Sequence, residues 1–420
     1  MRRFAITAAA AAVLTAGLQA PAWATAQDAP TDVSVGWTAE RDIRLSWSDL
    51  GEANTVRVEY QNPHRIEVLK SVTAAEGNEV VLPAKLQAAD RVRLLVTSGD
   101  DLTTAAPTEW FDTRRPAAPG LQDAELISRL IINVFWTKDP LADSTPGDAL
   151  DLPYSPTVKA VVDLPGTATE TITFDPRQTS ASLPPQARPA AIRLISTNEW
   201  GETPDTRIVR VGTLGAGISV PASAVYSTRL GIKSTLDLFT SEGREERASG
   251  IPVELQARAK TTDAWKTYGR YAGNTTTAFD TGIASLGNRE YRLWVPARKV
   301  VSGNVIALTP ATSTSARSSK TLIKFVSKGF TPAHPARHAK VDVWAKIQPA
   351  ATVRGSLQVL LKGKWNTVFP VQFTNGSMLT HANVGNDVGS FSYRIALPAV
   401  TVNGLTLSPT TSSAFPITIG

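Results

Sequence analysis

Apolar and polar residues alternate along much of the chain. Ile43–Trp47 has an apolar residue at every second position, and Val56–Tyr60, Val92–Val96 and Ile132–Trp136 repeat the pattern. Successive side chains of a strand point to opposite faces, so this period of two predicts half-buried antiparallel strands. No stretch shows a sustained apolar stripe at the 3.6-residue spacing of a helix. The predicted fold class is therefore all-β, a tandem of antiparallel β-sandwich domains.

One pattern of about a hundred residues occurs twice in the second half of the chain, at a length typical of a sandwich domain. Its first copy contains Leu255-Gln256, Trp265, Tyr291-Arg292 and Leu308, and its second copy contains Leu357-Gln358, Trp365, Tyr393-Arg394 and Leu407. The offsets between the copies are 102, 100, 102 and 99 residues. This length exceeds that of a solenoid unit, so the pattern predicts a duplicated β domain.

Segments rich in turn-forming or polar residues divide the chain. Arg114–Gly120 and Ser315–Lys320 are interpreted as linkers. Gly212–Gly217 is also interpreted as a linker, because a phosphate-binding loop would be followed by a helix and the next residues are strand-like. The predicted organisation is a signal peptide over residues 1–26 and four sandwiches over residues 30–115, 119–212, 218–315 and 321–420.

Two of these regions resemble known domains. Ile43–Trp47 and Ile132–Trp136 look like the Trp-bearing second strand of fibronectin type III domains, and Ile192–Glu202 resembles that family's penultimate strand with its Asn-x-x-Gly turn. The usual Tyr of that strand is missing in both units. The resemblance implies seven-stranded sandwiches and no chemistry of their own. The duplicated units are similar to the Ig-like repeats of secreted actinobacterial surface proteins, which carry no fixed ligand.

The first residues predict export from the cytoplasm. Met1–Arg3 is positively charged, Phe4–Leu18 is apolar, and small residues surround Ala24 and Ala26. This order is that of a secretory signal peptide cleaved after Ala24 or Ala26. The apolar run is shorter than the roughly 20 residues that span a bilayer, so we expect no transmembrane anchor. The predicted location is extracellular, with attachment to the cell envelope left open.

The residue counts argue against catalysis. The chain has no cysteine and four histidines, which removes thiolate chemistry and leaves each sandwich to be held by its own core. His334 and His338 have a zinc-like spacing, but Pro332 and Pro335 disfavour a helix there. Glu245 and Glu246 are adjacent, so on a strand they would face opposite ways and could not act as an acid–base pair. We predict no enzymatic activity and no cofactor.

An acidic loop is a weak candidate for calcium. It follows the strand that ends near Trp136 and contains four carboxylates, at Asp139, Asp143, Asp148 and Asp151. Calcium takes six to eight oxygen ligands, so clustered Asp residues on a loop could bind it. The spacing fits no known calcium loop, and the alternative is a solvated acidic insertion.

Charge is distributed unevenly between the two halves. Residues 27–212 hold 18 Lys and Arg against 27 Asp and Glu, whereas residues 316–420 hold 11 against 2. Alternation places Trp344 on an outer face and Val359, Leu361 and Trp365 on an inner face. An exposed Trp among lysines suits a glycan or an anionic wall polymer. The alternative is that Trp344 packs on a neighbouring domain. The binding candidates are Lys324, Lys328, Trp344, Lys346, Lys362 and Lys364.

Together these patterns predict a secreted or envelope-associated structural and interaction protein without catalysis. Weak binding sites on its linked domains would together give a higher overall affinity, because linkage raises the effective concentration of each site. A second hypothesis is an accessory protein that binds polysaccharide or anionic cell-wall polymer through its basic C-terminal domain. The expected partner is a cell-wall polymer, a glycan or another extracellular protein. We expect no nucleic-acid partner, since the protein is predicted to work outside the cell.

Overall fold

A computed structural model describes residues 28–127, 131–138, 144–153, 155–184, 189–240 and 244–420. The predicted signal peptide, Asp139 and Asp143 lie outside the described residues. Strands are the dominant regular structure of the described chain, and its one helical element is a 3-10 turn at Leu102–Thr104. No helix in these ranges has the length and hydrophobicity needed to cross a bilayer. The all-β prediction is confirmed.

The first sandwich has seven strands in two sheets, in the orders β1-β2-β5 and β4-β3-β6-β7. The strands are β1 (Thr31–Trp37), β2 (Ile43–Ser48), β3 (Asn54–Tyr60), β4 (Arg65–Val72), β5 (Glu79–Leu82), β6 (Val92–Ser98) and β7 (Ala106–Pro107). Among the described residues, those of 28–117, 144–157 and 197–203 form one compact unit, and the others form a second.

The core of the first unit follows the alternation in the sequence. Ile43, Leu45 and Trp47 are buried between the two sheets, as predicted. Leu150 joins this core from a later segment of the same unit. The indole N–H of Trp37 donates to the Leu150 carbonyl oxygen at 2.7 Å, so a side-chain-to-backbone hydrogen bond accompanies the apolar contact.

The second sandwich repeats the plan of the first, with sheets in the orders β8-β9-β12 and β11-β10-β13-β14. Its strands are β8 (Gly120–Leu126), β9 (Ile132–Thr137), β10 (Thr157–Asp163), β11 (Glu170–Thr173), β12 (Ser180–Ser182), β13 (Ala190–Asn198) and β14 (Gly201–Val211). Ile132, Val134 and Trp136 are buried, as the alternation predicts. The indole of Trp136 stacks on Phe174 with ring centroids 4.9 Å apart.

The third sandwich pairs β15-β18-β21 in one sheet and β16-β27-β23-β19-β20 in the other, with β26 beside β23. Its strands are β15 (Thr213–Ser219), β16 (Ser223–Val225), β17 (Arg229–Leu230), β18 (Lys233–Phe239), β19 (Ser249–Arg258), β20 (Lys266–Asn274), β21 (Phe279–Asp280), β22 (Ile283–Ala284), β23 (Arg289–Val295), β24 (Arg298–Ser302), β25 (Val305–Thr309), β26 (Thr312–Ser313) and β27 (Arg317–Leu322).

The fourth sandwich has the sheets β28-β29-β32 and β31-β30-β33-β36, with β37 also beside β33. Its strands are β28 (Lys324–Thr331), β29 (Lys340–Gln348), β30 (Val353–Leu361), β31 (Lys364–Phe373), β32 (Ser377–Asn383), β33 (Gly389–Leu397), β34 (Val400–Val402), β35 (Leu405–Leu407), β36 (Thr410–Thr411) and β37 (Phe415–Ile419). The duplicated sequence pattern therefore corresponds to two sandwiches with a shared strand order.

Two segments interpreted as linkers are strands instead. Gly212–Gly217 lies mostly in β15, which pairs with β18 along its whole length. Ladder hydrogen bonds need only the backbone, so glycines did not prevent the strand. Ser315–Lys320 lies mostly in β27, where the buried side chains are Ser319 and Thr321 rather than apolar residues. The Ser319 hydroxyl donates to the Pro221 carbonyl oxygen at 2.7 Å, so the strand buries hydrogen-bonded polar groups and lacks apolar alternation.

The joint between the second and third sandwiches is a shared sheet. The hairpin β24–β25 of the third sandwich adds β25 parallel to β14, from the pair Ile208–Val305 to the pair Val211–Leu308. Ile306 and Leu308 are buried in the core of the second sandwich. The two sandwiches are thus joined by ladder hydrogen bonds and by apolar side chains, rather than by a free linker.

The joint between the third and fourth sandwiches is centred on Asn288. Its amide oxygen accepts from the Thr321 backbone N–H at 2.8 Å and from the Ser408 hydroxyl at 3.2 Å. Its backbone N–H donates to the Thr406 carbonyl oxygen at 2.7 Å. Beside it, a Cβ on Gly287 would come within 2.5 Å of Leu405, so only glycine allows this close approach.

We expect Ile306→Ala to loosen the joint between the second and third sandwiches. Ile306 is buried, so truncation removes apolar contacts and leaves a cavity, at a cost of about 2–5 kcal/mol. Hydrogen exchange should become faster for amides of β14 and β25 and stay unchanged in β19 and β23. The control is Val301→Ala, which alters the residue paired with Ile306 but is 56% exposed. Equal effects of the two variants would contradict this account.

Candidate functional site

The outer face of the sheet β28-β29-β32 carries the predicted tryptophan. Trp344 lies in the middle of β29, and its cross-strand neighbours are Gly329 on β28 and Leu379 on β32. The next row contains Lys346 between Ser327 and Ser377. Val343 and Ala345, which alternate with these positions, are buried in the core. Trp344 therefore points to the outer face of the sheet, as the alternation predicts, but it is half-buried rather than fully exposed.

The indole of Trp344 lies over the neighbouring strand. A Cβ on Gly329 would come within 2.9 Å of Cζ2 and 3.3 Å of Cε2, so the ring occupies the space that a side chain at residue 329 would take. The indole N–H donates to the Thr331 hydroxyl at 3.1 Å. Glycine below and threonine at the ring edge therefore hold the indole down on the sheet.

A shallow groove of about 560 Å³ runs from this ring to the edge of the sheet. Its walls include Trp344, Lys346, Gln372, Thr374, Ser377 and Leu379. Leu379 is 65% exposed and adds aliphatic surface beside the indole. The groove thus combines an aromatic face, an exposed aliphatic side chain, an amide, two hydroxyls and an ammonium group.

The other lysines of the predicted set are divided between different places. Lys324 pairs with Gln348, so it lies on the Trp344 face but two rows away. Lys328 pairs with the buried Ala345 and turns to the opposite side. Its ammonium group donates to the Ser413 hydroxyl at 2.8 Å and lies 5.9 Å from the centre of the Phe415 ring.

Lys362 and Lys364 belong to the second sheet of the sandwich. They flank Gly363 at the tip of the β30–β31 hairpin, where Lys362 and Gly363 both have positive φ. The predicted inward direction of Leu361 is wrong, since it is 45% exposed at the end of the hairpin. Trp365 is also not in the core, because it packs under a guanidinium on the outer face.

The duplicated motif builds the same outward-facing stack in both repeats. The guanidinium of Arg292 lies 4.5 Å from the Trp265 ring centre, and that of Arg394 lies 4.4 Å from Trp365. Each Arg Nε also donates to the Gln of the motif on the neighbouring strand, at 2.9 Å for Gln256 and 2.7 Å for Gln358. The Gln, Trp and Arg of the repeated motif therefore contact one another through cation–π stacking and a hydrogen bond. The spacing of the motif serves the fold of each repeat.

Two of the four carboxylates predicted as calcium ligands, Asp148 and Asp151, lie among the described residues, and both accept local hydrogen bonds. Asp148 accepts from the Leu150 backbone N–H at 2.7 Å and from the Thr145 hydroxyl at 2.9 Å. Asp151 accepts from the Gly147 backbone N–H at 2.5 Å. These bonds shape the turn that presents Leu150 to the first core. Asp139 and Asp143 are outside the described residues, so the calcium hypothesis stays a prediction.

Two histidines take part in polar contacts with carboxylates. His381 Nδ1 lies 2.6 Å from Asp342 Oδ1, one row from Trp344. His64 Nε2 lies 3.0 Å from Glu59 Oε1, and Arg93 Nε donates to the other oxygen of Glu59 at 2.6 Å. Across the described ranges, no three His, Asp or Glu side chains cluster as metal ligands would.

The contacts around Glu59 change its ionisation. Burial raises the pKa of Glu59, but the hydrogen bonds and charges of Arg93 and His64 outweigh burial, and the net pKa is lowered. Arg93 in turn lies 4.5 Å from the centre of the Trp110 ring. The cluster thus links four residues of the first sandwich, two on strands and two in loops.

Comparisons with known proteins give structural likenesses only. The sequence matches no protein-family profile and no curated protein. The FN1–FN3 domains of chicken CNTN1 align with 73% of this chain and 99% of theirs, at 11% identity and a TM-score of 0.19. A tetra-tandem repeat from the extending region of a large adhesion protein aligns with 91% of this chain and 99% of its own, at 11% identity and a TM-score of 0.27.

A third solved structure, native E. coli alpha-2-macroglobulin, aligns with 93% of this chain and 32% of its own, at 10% identity and a TM-score of 0.19. The first of these structures consists of fibronectin domains in tandem, and the second is a tandem repeat of an adhesion protein. TM-scores this low carry no argument about what this chain binds. The fold assignment rests on the sheets described above.

We expect Glu59→Gln to weaken the first sandwich at neutral pH and to flatten its pH dependence. Because the folded pKa is lowered, the ionised carboxylate stabilises the fold above about pH 4.3, and this contribution is lost as the pH falls through the folded pKa. Hydrogen exchange in β3 and β6 should report a loss of about 1–3 kcal/mol at pH 7 and less near pH 3.

A suitable control for this experiment is Glu79→Gln, which removes an exposed carboxylate 3.6 Å from Arg44 in the same sandwich. Exposed ion pairs contribute little, so its effect should stay below about 1 kcal/mol at both pH values. A constant loss for Glu59→Gln across the pH range would show that the carboxylate charge is unimportant.

Proposed function

We propose that this chain is a non-catalytic structural and interaction protein that works outside the cytoplasm, free or attached to the cell envelope. The observation that supports this most is the construction of the joints. The hairpin at residues 298–309 continues the sheet of the second sandwich, and Asn288 bonds the third sandwich to the fourth. Joints of this kind hold neighbouring sandwiches, and the surfaces on them, at a set spacing.

The electrostatics of the described chain also favour a non-catalytic role. The carboxyl groups with a displaced pKa are lowered rather than raised, as hydrogen bonds and neighbouring charges outweigh burial, and Glu254 and Asp280 are examples. A general acid at neutral pH needs a raised pKa instead. The hydrogen bonds and ion pairs of these two carboxylates link neighbouring strands, so the carboxylates stabilise the fold.

Fixed spacing has a consequence for binding. Weak sites on linked domains add through effective concentration, and the gain is largest when the geometry lets them bind together. A rigid joint also avoids part of the ordering cost at binding. A tandem of joined sandwiches is therefore suited to contacts with an extended or repetitive partner on a cell surface.

We expect the full-length protein to occur in the culture supernatant or the wall fraction, and chemical crosslinking there to capture a recurrent neighbour. Asn288→Ala removes the side-chain bond to Ser408 and keeps the backbone bond to Thr406, so it should loosen the joint and weaken retention on the surface. Asn366→Ala is the control, since it removes one exposed bond to the Lys364 carbonyl within a sandwich. Confinement to the cytoplasm, or turnover of a substrate, would overturn the proposal.

A second candidate function is binding of an anionic cell-wall polymer by the basic fourth sandwich. Residues 316–420 hold 11 basic and 2 acidic residues, and Lys362 and Lys364 stand at an exposed hairpin tip. Charge of one sign attracts a polyanion at low salt and is screened at high salt.

If this second function holds, Lys362→Glu with Lys364→Glu should lower retention on purified walls roughly three- to tenfold at low salt, a change of about 1 kcal/mol. The difference should shrink in high salt. Lys260→Glu with Lys266→Glu makes the same charge change on the exposed surface of the third sandwich and should have less effect. Indifferent elution of the first pair would remove this candidate.

A further inference from the structure

The Trp344 face has the features of a platform for a flat ligand. The indole lies over Gly329 and is anchored at its edge by Thr331, so one face is covered by the sheet. No arginine guanidinium stacks on this ring in the described chain, in contrast to Trp265 and Trp365. Trp344 is half-buried and lines the groove, so the part of the indole that the sheet leaves uncovered is reached from the groove.

The groups beside the platform are those that bind sugar hydroxyls. Gln372 uses its amide N–H₂ on the Phe373 carbonyl oxygen at 2.9 Å, which leaves its amide oxygen to accept from a ligand. Thr374 and Ser377 add hydroxyls along the same groove. The exposed Leu379 widens the apolar surface next to the indole. An aromatic face with a few convergent polar groups orients a ring-shaped polar molecule.

The charge near the platform is small and positive. Lys346 occupies the row next to Trp344, and in the described ranges no carboxylate lies within ion-pair distance of its ammonium group. On the other side of Trp344, Asp342 is bonded to His381 at 2.6 Å. Lys362 and Lys364 are on the other sheet. Lys346 is the ammonium group nearest the ring, since Lys324 and Lys340 lie on the same face two rows from Trp344. One ammonium group beside the ring matches one carboxylate on the sugar that stacks there.

We infer that this face binds the pyranose ring of a carboxylated sugar within an extracellular polysaccharide. The apolar face of the ring stacks on Trp344 and extends over Leu379, the hydroxyls meet Gln372 and Ser377, and the carboxylate meets Lys346. The inference rests on the proposed function, since exposure outside the cell brings the protein to such a polymer. It differs from the charge-driven candidate in that stacking, rather than net charge, supplies most of the affinity.

The test uses the full-length protein and a galacturonic acid tetrasaccharide, with its methyl ester as the uncharged partner of the same ring structure. Binding is followed by isothermal titration calorimetry and by the NMR signal of the Trp344 indole N–H, assigned with Trp344→Phe. Trp344→Ala should weaken both ligands roughly tenfold or more, comparable to the stacking of other flat rings on aromatic side chains. Trp344→Phe should restore part of that loss.

Three further variants separate stacking from charge. Lys346→Met keeps the aliphatic stem and should weaken the acid roughly three- to tenfold while leaving the ester unchanged. Lys362→Met removes a lysine from the other sheet and should alter neither ligand. Gly329→Ala should lift the indole and weaken both ligands, whereas Gly385→Ala, which has open space around it, should not.

Several outcomes would overturn the inference. These are unchanged binding by Trp344→Ala, equal losses for Lys346→Met and Lys362→Met, and absence of saccharide binding at millimolar concentration. Capture of a protein partner that needs Trp344, without saccharide binding, would also overturn it. Surface retention and crosslinking that persist without saccharide binding would leave the proposed function standing and remove only the sugar ligand.

Discussion

The packing of two sheets around one apolar core is the constraint on which the rest of this structure depends. The chain has no cysteine, so each sandwich must be stable through burial between its sheets. The second sandwich extends that core beyond its own sequence, since Ile306 and Leu308 from the following repeat fill part of it. Burial of these two side chains stabilises the second sandwich and also holds the third sandwich against it. A substitution that weakens this core would therefore also loosen the joint.

The strand pattern was predictable from the sequence wherever one face of a strand is apolar. The alternation at Ile43–Trp47 and Ile132–Trp136 gave the correct buried face. It failed where burial is polar, as in β27, whose inward Ser319 and Thr321 form hydrogen bonds and look like linker residues. It also failed at Leu361, because alternation does not show where a hairpin extends past the opposing sheet.

The candidate site was predictable only one strand at a time. Alternation within β29 placed Trp344 outward, but a single strand carries no information on the register of its neighbours. Register decides that Gly329 and Leu379 flank the indole and that Lys328 turns away from it. The parallel pairing of β14 with β25 was missed for the same reason, since it joins residues almost a hundred positions apart. Gly329 itself was a usable signal, because a glycine inside a strand often marks close approach.

The tryptophans of this chain show why an outward aromatic side chain is not by itself a binding site. Trp110, Trp265 and Trp365 each lie under an arginine guanidinium at about 4.5 Å, which covers the exposed ring face. In the two repeats, a glutamine on the adjacent strand holds that arginine in place. Trp344 differs from them, because its inner face lies on Gly329 and no arginine among the described residues stacks on its outer face. The alternation around Trp344 resembles that around the other outward tryptophans. They differ in the residue that the sheet register places beside each ring.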